Sequence, residues 1–253
     1  NLRDTLEDKP RIYQRHRRQL WDQLSEDEHR EAIACYWGFC SMVDDYRKMV
    51  YDAIDALGIR DNTILIFMSD HGDYMAAHGL YCKGIPSFDE AMRVPMIVRW
   101  PEGIDNPGRT VDEFITLADF APTFLDVAGL PQNQTSGASF APFFKSNHVE
   151  NWTQEYHNQM NGVEYYYTQR FVQTKDFKYV FNGFDFDELY DLKNDPHEMK
   201  NLAEDSRYDD VKLDMVKRMW RFAFKEKDIL AVKYWTCALV PWGPHVALSE
   251  MVK

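Results

Sequence analysis

Apolar residues between positions 25 and 57 recur at three- and four-residue steps: Ile33, Tyr36, Cys40, Val43, Tyr46, Val50, Ile54 and Leu57. That spacing predicts one face of a long amphipathic helix. Ser25 and Glu28 form an S-x-x-E capping box at its start, and Gly58 supplies a stop. The polar stretch before it, with Tyr13 and Trp21 scattered through it, predicts a loop with a short helix. After a turn at Asp61-Asn62-Thr63, five apolar residues follow without alternation, Ile64 to Met68. Such a run predicts a strand buried on both faces, as in a parallel sheet flanked by helices. Val94 to Val98 reads as a second buried strand, with Pro95 tolerated only near its start. Residues 117–128 read as a helix ending at Gly129, with Pro122 its one blemish. Alternating helix and strand over 25–130 indicates an α/β fold with an open, mostly parallel sheet flanked by helices.

The pattern then changes. Residues 131–162 are rich in Asn, Gln, Ser and Pro and read mostly as loop. Glu164 to Val172 and Phe177 to Phe181, joined at Thr174-Lys175-Asp176, predict an antiparallel hairpin of aromatic and β-branched residues. Residues 208–228 form a second amphipathic helix, with Val211, Met215, Met219, Phe222 and Phe224 among charges. The tail 229–253 is apolar and aromatic and gives no clear element. Two domains are expected: an α/β core over 1–135, and a small antiparallel-sheet-plus-helix subdomain with its tail over 136–253.

Charge narrows the function classes. Lys plus Arg is 29 and Asp plus Glu is 41, a net charge of −12. An acidic surface repels phosphate backbones, which argues against a nucleic-acid partner. Hydrophobic residues at 45% are ample for a core and too many for a disordered chain. No apolar run reaches the roughly 18 residues that a membrane helix needs. The cysteines, Cys35, Cys40, Cys82 and Cys237, have neither CxxC nor zinc-site spacing and read as ordinary thiols. The first residues, Asn1 to Pro10, contain no Met start and no apolar signal region, so the chain reads as a piece of something longer. Localisation stays open.

The densest polar cluster follows the first buried strand: Ser69-Asp70-His71-Gly72-Asp73. Ligands of open α/β sheets bind beyond the carboxyl ends of strands. Gly72 permits a sharp turn, so Asp70 and His71 are able to point into one crevice. Together they offer one oxygen and one nitrogen to a divalent cation. The alternative is that Asp70 caps a following helix and His71 packs at the sheet edge. Lys83 is either a surface lysine or, brought back to that crevice, a point charge for an anionic oxygen. Arg93 either faces an anion or pairs with Glu90, and the pair is the expectation.

Asp61 to Asp73, then His78-Gly79-Leu80 with Lys83, then Arg93 to Val98, resemble the central block of the sulfatase family, within the alkaline-phosphatase superfamily of metal-dependent hydrolases. Leu117 to Gly129 and Glu188 to Leu202 resemble later family blocks, in the same order. The resemblance spans about residues 28–205. It implies that Asp70 and His71 bind a divalent metal, most often calcium, with magnesium or manganese as options. It implies that Lys83 contacts the sulfate oxygens, and that His78 lines the substrate pocket. It implies sulfate ester hydrolysis, with a small-molecule or carbohydrate sulfate ester as substrate.

The family's Cys-x-Pro/Ser-x-Arg motif, whose first residue becomes the formylglycine nucleophile, is not in this sequence. No cysteine here is followed by that pattern. The expected partner is therefore the missing N-terminal half of the same enzyme, which would hold the nucleophile and most metal ligands. A calcium ion takes about 6–8 ligands, and two residues leave most of that shell to other groups. Alternatives are a phosphonate monoester or phosphodiester hydrolase of the same superfamily, and a non-catalytic fragment or binding module. Two sequons, at Asn133 and Asn151, read as chance triplets. Tyr165-Tyr166-Tyr167, Trp235 and Trp242 are expected to pack in a core rather than stack on a sugar. Arg170, Lys175 and Lys178 are expected on a solvated face.

Overall fold

The computed structural model describes residues 1–132, 135–162, 165–233 and 240–247. The expectations for Asn133, Trp235 and Cys237 lie outside them, as does the start of the hairpin at Glu164.

The first helix, α1 (Arg11–Leu20), starts after Pro10 and carries Arg17 and Arg18 in its last turn, where cations suit the helix dipole. The long helix α2 (Glu26–Ala56) begins with the expected capping box. Glu28 N donates to Ser25 Oγ at 3.3 Å, and Ser25 N donates to Glu28 Oε2 at 2.8 Å. Its apolar stripe is largely uncovered: Tyr46 is 60% exposed, Val50 55% and Val43 38%. Only His29 of this helix is buried. Arg47 and Tyr51, half-buried, face the first sheet: the Arg47 guanidinium lies over the Phe67 ring, and that of Arg99 lies over the Tyr51 ring.

Strands β1 (Leu65–Met68) and β2 (Met96–Arg99) form that sheet. They run antiparallel, with Leu65 opposite Arg99 and Met68 opposite Met96. The expected parallel arrangement is not seen between them. The excursion 69–95 leaves and re-enters at the same end of the sheet, so the second strand must return against the first. Every residue of β1 is only half-buried. The short helix α3 (Asp89–Met92) precedes β2, and α4 (Phe120–Val127) follows it. Pro122 falls in the first turn of α4, where its missing N–H breaks no helical bond.

The second sheet contains β3 (Glu155–Met160), β4 (Gln169–Thr174), β5 (Phe177–Asn182) and β6 (Glu188–Asp191), antiparallel in that order. The hairpin β4–β5 turns at Lys175-Asp176 as expected. Strand β3 falls in a region expected as loop. It is an edge strand, where polar side chains are tolerated and blunt further pairing. Helix α5 (Asp209–Lys225) lies across the sheet. Met215, Val216, Met219 and Trp220 pack against Val172, Tyr179, Phe181 and Leu189. Trp220 meets Phe181 edge-on at 5.0 Å and donates through Nε1 to Trp242 O at 2.8 Å. Trp242 and Tyr167 thus join cores as expected, whereas Tyr166 is fully exposed.

Two of the three cations assigned to a solvated face are buried. Arg170 pairs with Asp228, and Lys178 is sealed among carboxylates. Each has a partner that sequence spacing does not reveal; only Lys175 stays exposed. A second cluster draws Leu6, Tyr13, Leu80 and Phe88 together with Tyr190 of β6. At its centre Glu188 is buried and accepts from Tyr13 Oη at 2.6 Å and Asn182 Nδ2 at 2.9 Å. No described helix is long and apolar enough to cross a membrane.

Candidate functional site

Beyond Met68 the chain leaves β1 and bends through Ser69 and Asp70. Ser69 Oγ donates to His71 O at 2.7 Å, and His71 N donates to Asp70 Oδ1 at 3.1 Å. These short local bonds hold the acid–imidazole pair at the strand's tip. Gly72 is needed for a reason other than a sharp turn. A Cβ there would stand 1.9 Å from the Glu90 carbonyl oxygen. Gly72 N donates to Ala91 O at 2.9 Å, so residues 70–72 lie against α3.

The loop 73–82 brings Lys83 back. Asp73 Oδ1 accepts from Met75 N at 2.8 Å and from Cys82 N at 3.1 Å, closing the loop at both ends. Met75, Ala76, His78 and Cys82 all have positive φ. Four such residues in one loop mark backbone strain held by its surroundings.

The result is a tight cluster. Lys83 Nζ donates to His71 Nε2 at 2.7 Å, and Asp70 Oδ2 lies 3.5 Å from the same nitrogen. His71 Nδ1 donates to Gly72 O at 2.9 Å. A carbonyl only accepts and an ammonium only donates, so this pattern assigns the proton to Nδ1 and leaves Nε2 with a lone pair. Slight burial tends to raise the Asp70 carboxyl's pKa. The neighbouring backbone N–H groups, the adjacent His71 imidazole and the Lys83 ammonium outweigh it and hold the pKa below the usual range. Asp70, His71 and Lys83 all line one groove, which Arg93 and, from β3, Tyr156 and Asn158 also line.

Asp70 and Nε2 of His71 are adjacent and chemically suitable for a divalent cation. No group of three His, Cys, Asp or Glu suited to a metal exists among the described residues. Asp70 and His71 offer two donors, fewer than the about 6–8 that a calcium ion takes.

His78 takes a different place. It is fully buried and is not among the groove's lining residues. Its Nδ1 donates to Asp4 Oδ2 at 2.7 Å, and its ring stacks on Phe88 at 3.7 Å. Asn1 Nδ2 donates to Nε2 at 3.2 Å. Both ring nitrogens are thus engaged away from the groove, and the expectation that His78 lines a pocket is not met here. The expected Arg93–Glu90 pair is also absent. Glu90 accepts instead from Asn1 Nδ2 at 2.6 Å, and Arg93 has no hydrogen bond or ion pair among the described residues.

An acid–imidazole pair thus sits at a strand's tip, with an ammonium group folded back onto it, on an α/β scaffold. Comparison with known proteins places this scaffold in a family. A family model described as Sulfatase matches residues 4–130, and one described as N-sulphoglucosamine sulphohydrolase, C-terminal, matches residues 76–225. The chain is 32% identical over 244 residues to the uncharacterized sulfatase YidJ of Escherichia coli (strain K12), covering 94% of this chain and 47% of that protein. It is 35% identical over 203 residues to the Delta 4,5-hexuronate-2-O-sulfatase of Bacteroides thetaiotaomicron, covering 74% of this chain and 40% of that one. The solved phosphonate monoester hydrolase of Agrobacterium radiobacter matches with a TM-score of 0.74 at 27% identity, over 80% of this chain and 43% of that one. The chain belongs to the sulfatase family of the alkaline-phosphatase superfamily. It spans about half the length of the curated relatives it matches.

Proposed function

We propose that the intact protein hydrolyses sulfate esters of carbohydrates, and that this chain furnishes the cationic side of its active site. The observation that carries this reading is the convergence of Asp70, His71 and Lys83, with Lys83 Nζ 2.7 Å from His71 Nε2. Hydrolysis turns a sulfate monoester and water into an alcohol and hydrogen sulfate. Negative charge develops on the bridging oxygen as its bond to sulfur breaks. Lys83 offsets that charge, a role typically worth about 10²–10³ in rate. In a protein of net charge −12 a local cation also draws the anionic ester in.

Asp70 and His71 are proposed as two ligands of a divalent ion, most often calcium, whose other ligands lie outside this chain. That ion would supply further positive charge beside the sulfate. The nucleophile, a formylglycine in this reading, belongs to the other half of the protein. Two findings support a second half. The chain covers 47% of its relative YidJ, and α2 leaves Phe39, Val43, Tyr46 and Val50 exposed along one face. An apolar stripe of that extent is what the rest of an α/β core would cover. Carbohydrate sulfates are favoured because the Bacteroides relative is named for a hexuronate 2-O-sulfate.

The likeness to a phosphonate monoester hydrolase gives a second reading, that the ester is a phosphonate or phosphodiester. Rates of the intact protein on a sulfated uronate, an aryl sulfate and an aryl phosphonate monoester separate the two. The proposal expects the sulfates to be faster. Preference for the phosphonate would support the second reading. Turnover of none of the three would indicate a non-catalytic binding module.

A further inference from the structure

Lys178 and Glu198 lie far from the groove's tip in sequence, yet both connect to it. Lys178, in the middle of β5, is completely buried. Its Nζ donates to Ser87 O at 2.8 Å, Asp89 Oδ1 at 2.9 Å and Glu198 Oε1 at 2.6 Å. An ammonium group has three protons, and all three are used. Glu198 is 1% exposed, and its other oxygen, Oε2, accepts from Asp89 N at 2.7 Å. Two carboxylates thus share one ammonium, leaving one negative charge in excess. Burial, followed by the nearby Asp89 charge, pushes the Glu198 carboxyl up to about 7 against the pull of Lys178.

A buried charge cluster is a poor way to gain stability, because apolar groups of similar shape do as well. What it provides is direction. Asp89 opens α3, and Ala91 of that same turn accepts the Gly72 N–H. Gly72 is packed so closely on Glu90 that no side chain fits between them. Gly72 O in turn holds His71 Nδ1. An unbroken series of bonds therefore runs from β5 and Glu198, through Asp89 and Ala91, to Gly72, His71 and Lys83. Along the sequence Glu198 and Asp89 are 109 residues apart.

We propose that Lys178 and Glu198 are positioning residues: they fix the register of 87–91 against the second sheet and so set where His71 Nε2 sits relative to Lys83. This gives Glu198, inside the Glu188–Leu202 block, a role at the site although it does not line the groove. The consequence for catalysis rests on the hydrolase reading above; the structural link does not.

The test compares wild type, Glu198→Gln and the double variant Lys178→Met with Glu198→Leu, which leaves Asp89 as the one charge of the cluster, all in the intact protein. Amide exchange is read at Gly72, at Phe171 and at Val216, and kcat and KM are read on the sulfate ester. The double variant should speed exchange at Gly72 at least about tenfold while leaving Phe171 and Val216 within about threefold. Its kcat should fall about 10²-fold with KM nearly unchanged, the usual cost of a displacement of about 1 Å. Glu198→Gln, which keeps one oxygen for Asp89 N, should recover part of both losses. If the double variant does not fold, Glu198→Gln alone decides, through selective exchange at Gly72. Unchanged exchange at Gly72, or an equal rise at all three amides, overturns the proposal. If the intact protein cleaves no sulfate ester, the functional reading fails while the Gly72 measurement still decides the link.

Discussion

The two sheets of this chain differ in how they are finished. In the second, four strands and α5 close a core within the chain: β4 is buried along all but its last residue, and Trp220 is fully enclosed. In the first, the two short strands have no buried residue, Ile97 is 53% exposed, and α2 exposes most of its apolar stripe. The same hydrophobic patterning produced both. An amphipathic helix reports that a face is to be covered, and says nothing about whether the cover belongs to the same segment of chain. The proposed site lies on the unfinished side, held there by bonds that originate on the finished one.

Substitutions sharpen this contrast. Trp220→Ala should cost about 3–5 kcal/mol, because it empties a closed core; a smaller loss in chemical unfolding would mean that α5 is not seated as described. Arg170→Met should cost about 3 kcal/mol, since it strands Asp228 as a buried, unpaired charge. A drop of similar size after Asp228→Asn, without additivity in the double variant, would confirm the pair. Gly72→Ala should cost about 1–3 kcal/mol through its clash with the Glu90 carbonyl. Its effect should reach exchange protection at 70–72 first.

Acid should loosen the join between β3 and α5. Glu155 is held at about 2, first by its bond from His157, with burial opposing and Arg218 assisting. A depressed carboxyl pKa stabilises the fold above its unfolded value, near 4.5, and that contribution is lost as pH falls toward 2. Glu155→Gln should flatten stability across that interval. An unchanged slope would show that Glu155 is not paired in solution. Smallest of all, Tyr46→Lys, on the exposed stripe of α2, should alter the stability of this chain by no more than about 0.5 kcal/mol, as an exposed position does. The same change in the intact protein should cost several times more. Equal effects in both would mean that the α2 face has no cover.

Much of this was legible in the sequence where cause is local. The capping box at Ser25 and Glu28, the β4–β5 hairpin and α5 follow from spacing and turn chemistry. Asp70 and His71 stood out because they follow an apolar strand, and Lys83 because the family block carries it. The illegible parts share one physical reason: they depend on partners distant in sequence. Strand direction in the first sheet depended on where the 69–95 excursion re-enters. Strand β3 has a polar sequence that suits only an edge. Lys178 and Arg170 look like surface cations until their carboxylates arrive from 89, 198 and 228. His78 looked like a pocket residue until Asp4 claimed its ring. The reason for Gly72 was close approach to a carbonyl, which no spacing rule encodes.

The central claim is that the ammonium group beside His71 acts on a sulfate ester. The direct measurement is kcat/KM of the intact protein for a carbohydrate sulfate, wild type against Lys83→Ala. Lys83→Ala should lower it at least about 10²-fold, with the fold's thermal stability unchanged. A Lys83→Ala protein that turns over the ester at the wild-type rate would contradict the claim.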